Sequence, residues 1–186
     1  MRSIESVEEF DQIFDKVSPI IIDATEQPIQ RPQDRECQKE AYSGKKKHHT
    51  CKAMIISSLD RYIHFVSNFY TRNSYDYSML KAEFNPQLPW FAGYQVRLDL
   101  GCQGFQNDYP EATTFIPTKK PRGGQLTPEQ QERNRGLARE RITVEHSIGG
   151  IKRYDILSGT SRIRDLDIYD LMLGVYAGLW NFYITR

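Results

Sequence analysis

The stretch Ile20-Ile21-Ile22-Asp23-Ala24-Thr25-Glu26 runs three β-branched apolar residues straight into a carboxylate. β-Branched side chains favour extended backbone, and a short apolar run bounded by polar residues reads as a buried strand. The strand is expected to end at Asp23. An acid there is consistent with an ordinary turn, because Asp is a common turn former. It is equally where open α/β sheets place ligand-binding groups, beyond the carboxyl ends of their strands.

The neighbouring segments supply the rest of an α/β pattern. Val7, Phe10, Ile13, Phe14 and Val17 recur at helical spacing, which predicts a short amphipathic helix over 6–17. The Gln-, Pro- and charge-rich segment 26–43 has no period and reads as a loop. HTCKAMIIS at 49–57 and YIHFVS at 62–67 read as two strands of a hairpin, and DYSMLKAEF at 76–84 as a helix. A strand over 94–98 delivers a second acid in Leu98-Asp99-Leu100-Gly101, and a short strand is expected at 113–117. A long helix then starts with Thr127 as N-cap, Pro128 in the first turn and Gln130 completing a capping box. Its apolar stripe is Leu137, Val144, Ile148 and Ile151. A last helix over 165–183 carries Leu166, Tyr169, Leu173, Tyr176 and Trp180 on the face expected to meet the sheet. The order is mixed α/β.

Length and composition fit one domain. The chain has 186 residues, 26% charged and 39% hydrophobic, which suits a single core and excludes wholesale disorder. A net charge of +1 means that any nucleic-acid binding comes from local patches. Cys37, Cys51 and Cys102 are an odd number and make no disulfide framework, so they read as reduced thiols. The start, MRSIESVEEFDQ, has no apolar region of a secretory signal. The apolar segment 171–184 is interrupted by Asn181 and is shorter than the roughly 20 residues of a membrane helix. A soluble, cytoplasmic protein is expected.

Were the strands reaching Asp23 and Asp99 adjacent and parallel, their acids would be neighbours, and Glu145 on the long helix lies next to the apolar Val144. Crowded carboxylates repel unless a cation neutralises them, and hard oxygen ligands suit Mg²⁺ or Mn²⁺. A pair of such ions would support phosphoryl transfer. Arg141 and Lys152, on the same helix face as Glu145, would offer phosphate contacts. The same residues also make an ordinary exposed ion pair and a turn acid, and the residues alone leave both readings open.

Six blocks carry a more specific signal: IIIDATE, YSGKKKHHTCK, DYSMLK, LDLGCQGF, IPTKKPRG and RNRGLARERITVEHSIGGIKRY. In that order they resemble the blocks of DDE-type transposases of bacterial insertion sequences, a superfamily shared with Harbinger-like nucleases. The resemblance implies an RNase H-like mixed sheet flanked by helices, with Asp23, Asp99 and Glu145 as catalytic and metal-binding acids. It implies Mg²⁺ or Mn²⁺, as two ions, and DNA strand cleavage and transfer at element ends. Of the Tyr, Arg, Glu and Lys that related helices carry, Arg141, Glu145 and Lys152 are present, but Ala138 stands at the Tyr position. Tyr75 and Cys102 stand where relatives often have His and Tyr.

Basic residues cluster at Lys45, Lys46 and Lys47; at Lys119, Lys120 and Arg122; and along the long helix at Arg133, Arg135, Arg139, Lys152 and Arg153. Such runs are often solvated surface, and three of them around one acid site favour phosphate binding. His48, His49 and Cys51 match no usual zinc spacing. Gly149 and Gly150 inside the helix would be justified by close approach to a backbone, protein or DNA. Only 22 residues precede Asp23, too few for the helix-turn-helix domain that full-length relatives carry. The expectation is a single catalytic domain over 1–186 that acts as a homo-oligomer on transposon ends and target DNA, in the nucleoid, with a separate helix-turn-helix protein as partner. The alternatives are an inactive DNA-binding regulator and an endonuclease without strand transfer.

Overall fold

The structure is a computed structural model, and it describes residues 4–16, 18–70, 75–163 and 165–186. Its centre is β1 (Ile20–Pro28), which pairs antiparallel with β3 (His48–Ser58) over its whole length, from Ile20 opposite Ser58 to Pro28 opposite Thr50. On its other side β1 pairs parallel with β5 (Gln95–Arg97), which pairs parallel with β6 (Thr113–Phe115). β4 (Ile63–Val66) adds antiparallel to β3, and the two-residue β2 (Tyr42–Ser43) pairs with the start of β3.

The strand alternation divides the side chains between two cores. Ile20, Ile22, Met54, Ile56, Phe65 and Val96 face one layer, built on Phe10 of α1 (Val7–Ile13), Met79 and Leu80 of α3 (Asp76–Glu83) and Phe105 of α4 (Phe105–Asp108). Ile21, Ala53, Ile55 and Val66 face the other. There they meet Val144 and Ile151 of α5 (Pro128–Ile151), Leu157 of α6 (Asp155–Ser158), and Tyr169, Leu173 and Trp180 of α7 (Leu166–Ile184). A mixed sheet with helices on both faces is the result. Side chains alternate between faces with period two, so a continuous apolar run such as Ile20, Ile21 and Ile22 buries both sides of the sheet.

Local chemistry fixes the ends of the helices. The Thr127 hydroxyl accepts from the Gln130 amide at 3.3 Å, and the Gln130 side chain accepts from the Thr127 amide at 3.0 Å, closing the expected capping box. Leu137, Val144 and Ile151 of the expected stripe are buried. α7 is tied to the sheet edge by Asn181, which accepts from the Ile63 amide at 2.8 Å and donates to its carbonyl at 2.7 Å.

Three expectations change. β1 does not stop at Asp23 but continues to Pro28, because β3 is long enough to pair every residue of IIIDATE and beyond. The segment 26–43 is not a loop: besides the end of β1 it holds α2 (Arg35–Ala41), capped by Asp34, whose carboxylate accepts from the amides of Glu36 and Cys37 at 2.9 Å. Gly150 is needed for a side chain rather than a backbone. A Cβ there would lie 2.2 Å from Trp180 Cε3, whereas nothing lies within 4 Å of one at Gly149. Val17, the last residue of the first expected helix, lies outside the described residues. Cys37, Cys51 and Cys102 are free thiols. Among the described residues no helix is long and apolar enough to cross a membrane.

Candidate active site

Parallel pairing of β1 with β5 covers only Ile20 and Ile21 opposite Val96 and Arg97. Past that point the chains part, and each presents an aspartate: Asp23 two residues further along β1, Asp99 two residues past β5. The Asp99 carboxylate caps the 3₁₀ turn Leu100–Cys102, accepting from the Leu100 amide at 2.7 Å. Asp23 Oδ1 accepts from the Ala24 amide at 2.9 Å. Their remaining charge is met from α5. Arg141 Nη2 donates to Asp23 Oδ2 at 3.2 Å and Nη1 to Asp99 Oδ1 at 3.0 Å, so one guanidinium spans both acids.

Electrostatics distinguish the two aspartates. Asp23 keeps only 17% of its side-chain surface, against 47% for Asp99. Burial pushes Asp23 above its usual carboxylate range, more strongly than Arg141 pulls it down, and Asp99 adds to the rise. Burial likewise opposes the Arg141 charge, but Asp23 and Asp99 outweigh it and hold the guanidinium above its usual value. The clamp that sets α5 against β5 is a second ion pair, from the buried Arg97 to Glu140.

Glu145, one turn beyond Arg141, is exposed, and the structure gives it no hydrogen bond to the aspartates. Its charge reaches Arg141 electrostatically. Among the described residues no set of three His, Cys, Asp or Glu side chains is grouped to ligate an ion. Asp76 is an acid that sequence reading passed over. It begins α3, lines the same cleft as Asp23, Asp99, Gly101 and Cys102, and pairs with Lys52 at 3.1 Å. Its place in the DYSMLK block was the available signal; nothing local in sequence brings it to Asp99. Burial pushes the Cys102 thiol in this cleft up to about 12, which keeps it neutral.

The basic positions divide by surroundings. Lys45, Lys46 and Lys47 form the exposed turn between β2 and β3, with Lys47 at a φ of 63°. Lys46 lines a cleft with Glu26, His48, Thr50, Lys152 and Ser158. Lys152 donates to the Glu26 carbonyl at 3.1 Å, and burial, then the Lys46 charge, depresses its pKa. Lys119, Lys120 and Arg122 are exposed between β6 and α5, and Arg139 is exposed on α5. Arg135 is paired with Glu132 at 2.6 Å. Arg153 lies over the rings of Trp180 and Tyr183 at 5.9 and 5.7 Å.

A mixed α/β sheet carries two acids at the divergence of neighbouring parallel strands, bridged by an arginine from a helix laid across it, which makes a carboxylate site with one cation between the acids. Residues 22–181 match the family described as DDE superfamily endonuclease, and the chain belongs to that family. It is 32% identical over 166 residues to the probable transposase for insertion sequence element IS702 of Microchaete diplosiphon, which bears out the resemblance to DDE-type transposases. That alignment takes in 88% of this chain and 56% of the relative, so the chain spans about half of the relative's length. No solved structure gives a significant match.

Proposed function

We propose that this chain is a transposase catalytic domain that cuts DNA strands at insertion-sequence ends and joins a 3′ hydroxyl to target DNA. The observation that carries it is the convergence of Asp23 and Asp99 on one cation from α5, in a chain of the DDE superfamily endonucleases. The strand order β4–β3–β1–β5–β6, with β3 running antiparallel to the other four, supports an RNase H-like reading of the sheet.

The donor set fits a divalent ion. Two hard carboxylates that share one guanidinium gather positive charge at this point, and their oxygens are of the kind Mg²⁺ and Mn²⁺ take. Asp23 and Asp99, with Glu145 from α5, would hold Mg²⁺ or Mn²⁺ as one or two ions. Bound there, the metal supplies an activated hydroxyl nucleophile and charge stabilisation for the leaving oxygen. The chain's own basic groups do the positioning: Lys46 and Lys152 beside their cleft, and Lys45, Lys47, Lys119, Lys120, Arg122 and Arg139 on open surface, contact phosphates of transposon end and target. Arg135 and Arg153 contribute less, being engaged by Glu132 and by aromatic rings. A separate helix-turn-helix protein would then read the terminal repeat, and the active form would be an oligomer on DNA.

A second reading, a DNA-binding regulator without catalysis, is favoured by the exposed Glu145 and by the missing three-ligand grouping among the described residues. Incubation with Mg²⁺ or Mn²⁺ and DNA carrying the element ends separates the outcomes. Joined product supports transposition, cuts without joining an endonuclease, and binding without cuts the regulator. Full metal-dependent cleavage by an Asp23→Ala variant would overturn the site assignment.

A further inference from the structure

Helix α7 is apolar on two sides. Tyr169, Leu173, Ala177 and Trp180 are buried against the sheet and α5. Its polar residues are engaged at the sheet edge: Asp170 accepts from the Phe69 amide at 2.7 Å, and Asn181 brackets Ile63. On the other side Ile168, Leu171, Val175, Leu179 and Phe182 are all exposed, with 62% of Leu171, 59% of Val175 and 57% of Phe182 open. A helix apolar nearly all round is a covered helix, and a contiguous exposed apolar patch marks an interaction surface.

The spacing of the stripe fits a second copy of the same helix. Leu171 and Leu179 lie four residues to either side of Val175, and Ile168 and Phe182 lie seven to either side. At 3.6 residues per turn the five fall on one strip about 21 Å long. This pattern is the same from either end. A second copy of the helix, running antiparallel across a twofold axis at Val175, therefore sets Val175 on Val175, Leu171 against Leu179 and Ile168 against Phe182. Isologous contacts require such self-complementarity. The charges agree with the direction. Asp165 and Asp167 open the helix, Arg186 closes it over the Phe182 ring at 4.2 Å, and 171–185 holds no charge. Antiparallel copies oppose the helix dipoles and bring Asp165 and Asp167 to the partner's Arg186 end, whereas parallel copies align the dipoles. A membrane surface is the poorer occupant, since a helix that lies on lipid carries a cationic polar face.

We propose that α7 is the contact between two copies of this chain, a twofold-symmetric antiparallel helix pair centred on Val175. Sedimentation velocity across the micromolar range is expected to show a dimer. Val175→Glu, which places two carboxylates on the axis, is expected to give a monomer with an unchanged far-UV circular dichroism spectrum. Register is read by copper-phenanthroline cross-linking in a Cys37→Ser background. Val175→Cys cross-links to itself, and Ile168→Cys cross-links to Phe182→Cys when the two are mixed, while neither of those does so alone. A wild-type chain that stays monomeric at hundreds of micromolar overturns the proposal. So does a dimer that survives Val175→Glu, an Ile168→Cys chain that cross-links to itself, or a monomer that co-sediments with anionic lipid vesicles.

Discussion

Asp23 carries a charge that its surroundings oppose. A carboxyl whose folded pKa lies above its unfolded value contributes stability below the unfolded pKa and loses it as pH rises through the folded one, so near pH 7 the ionised group is a net cost. Asp23→Asn keeps Oδ1 as acceptor for the Ala24 amide and removes the opposed charge, while Arg141 loses its Oδ2 acceptor but retains Asp99. The variant is expected to melt no lower than wild type at pH 7 while losing all strand cleavage, the trade-off of a site held for chemistry rather than for folding. Arg141 is the converse case. Arg141→Gln leaves two neighbouring carboxylates without their shared cation, and the loss is about 2 kcal/mol, the scale of hydrogen bonds to charged groups. Thermal melts should show this drop in chelator, and millimolar Mg²⁺ should raise the melting temperature of the variant more than that of wild type. Both aspartates were legible in sequence as acids following apolar runs. Arg141 was legible as a basic neighbour, but its position between them was not, because helix periodicity fixes a face and not the point where a long side chain crosses to the sheet. Asp76 was missed for the same reason: its approach to Gly101 and Asp99 depends on how α3 packs, with no trace in spacing.

The helical elements show how one spacing can hide two causes. Gly149 and Gly150 are neighbours in α5, yet only Gly150 faces Trp180. Gly150→Ala drives a methyl into the indole and should cost about 1–3 kcal/mol by overpacking. Gly149→Ala meets nothing and should stabilise by about 1 kcal/mol through helix propensity. Urea titrations of the two variants should therefore move in opposite directions. On β4, His64 sits against Phe14 and Tyr62 with its Nε2 2.9 Å from the Ser58 hydroxyl and Asp60 beyond. Burial lowers its pKa more than Asp60 raises it. The ring therefore stays neutral in the fold while it protonates in the unfolded chain. Its contribution is complete above the ordinary value of 6.5 and is lost as pH falls below it. Wild type should lose melting temperature more steeply than His64→Gln between about pH 6.5 and 5. The elements with internal chemistry were readable in advance: the capping box of α5 and the hairpin of β3 and β4. α2 was not, since Arg35 to Ala41 shows no apolar stripe and is set by its Asp34 cap and by contact with β3.

For the whole molecule, the mixed α/β order was plain because each strand run is bounded by polar punctuation and the long helices are periodic. The sheet order and the reach of β1 past Asp23 were not, because pairing partners are a property of the assembled chain. Charge is likewise balanced in total and local in effect. A net charge of +1 gives no general attraction to DNA, so any affinity comes from patches such as the Lys45–Lys47 turn, which is exposed. Lys16 and Lys81 provide the contrast, being paired with Asp11 at 2.9 Å and with Asp108 at 3.4 Å. Each phosphate neutralised releases counterions, and the slope of log K against log salt changes by about 0.9 for each such contact on duplex DNA. Replacing Lys45, Lys46 and Lys47 together by Gln should therefore flatten that slope by nearly three for a duplex of arbitrary sequence, and weaken binding most at low salt. Lys16→Gln should leave both unchanged. Fluorescence anisotropy between 50 and 200 mM salt, about the range over which such contacts dominate, reads the difference. An unaltered slope in the triple variant would remove this turn from the DNA path and leave phosphate positioning to α5 and to the segment carrying Lys119, Lys120 and Arg122.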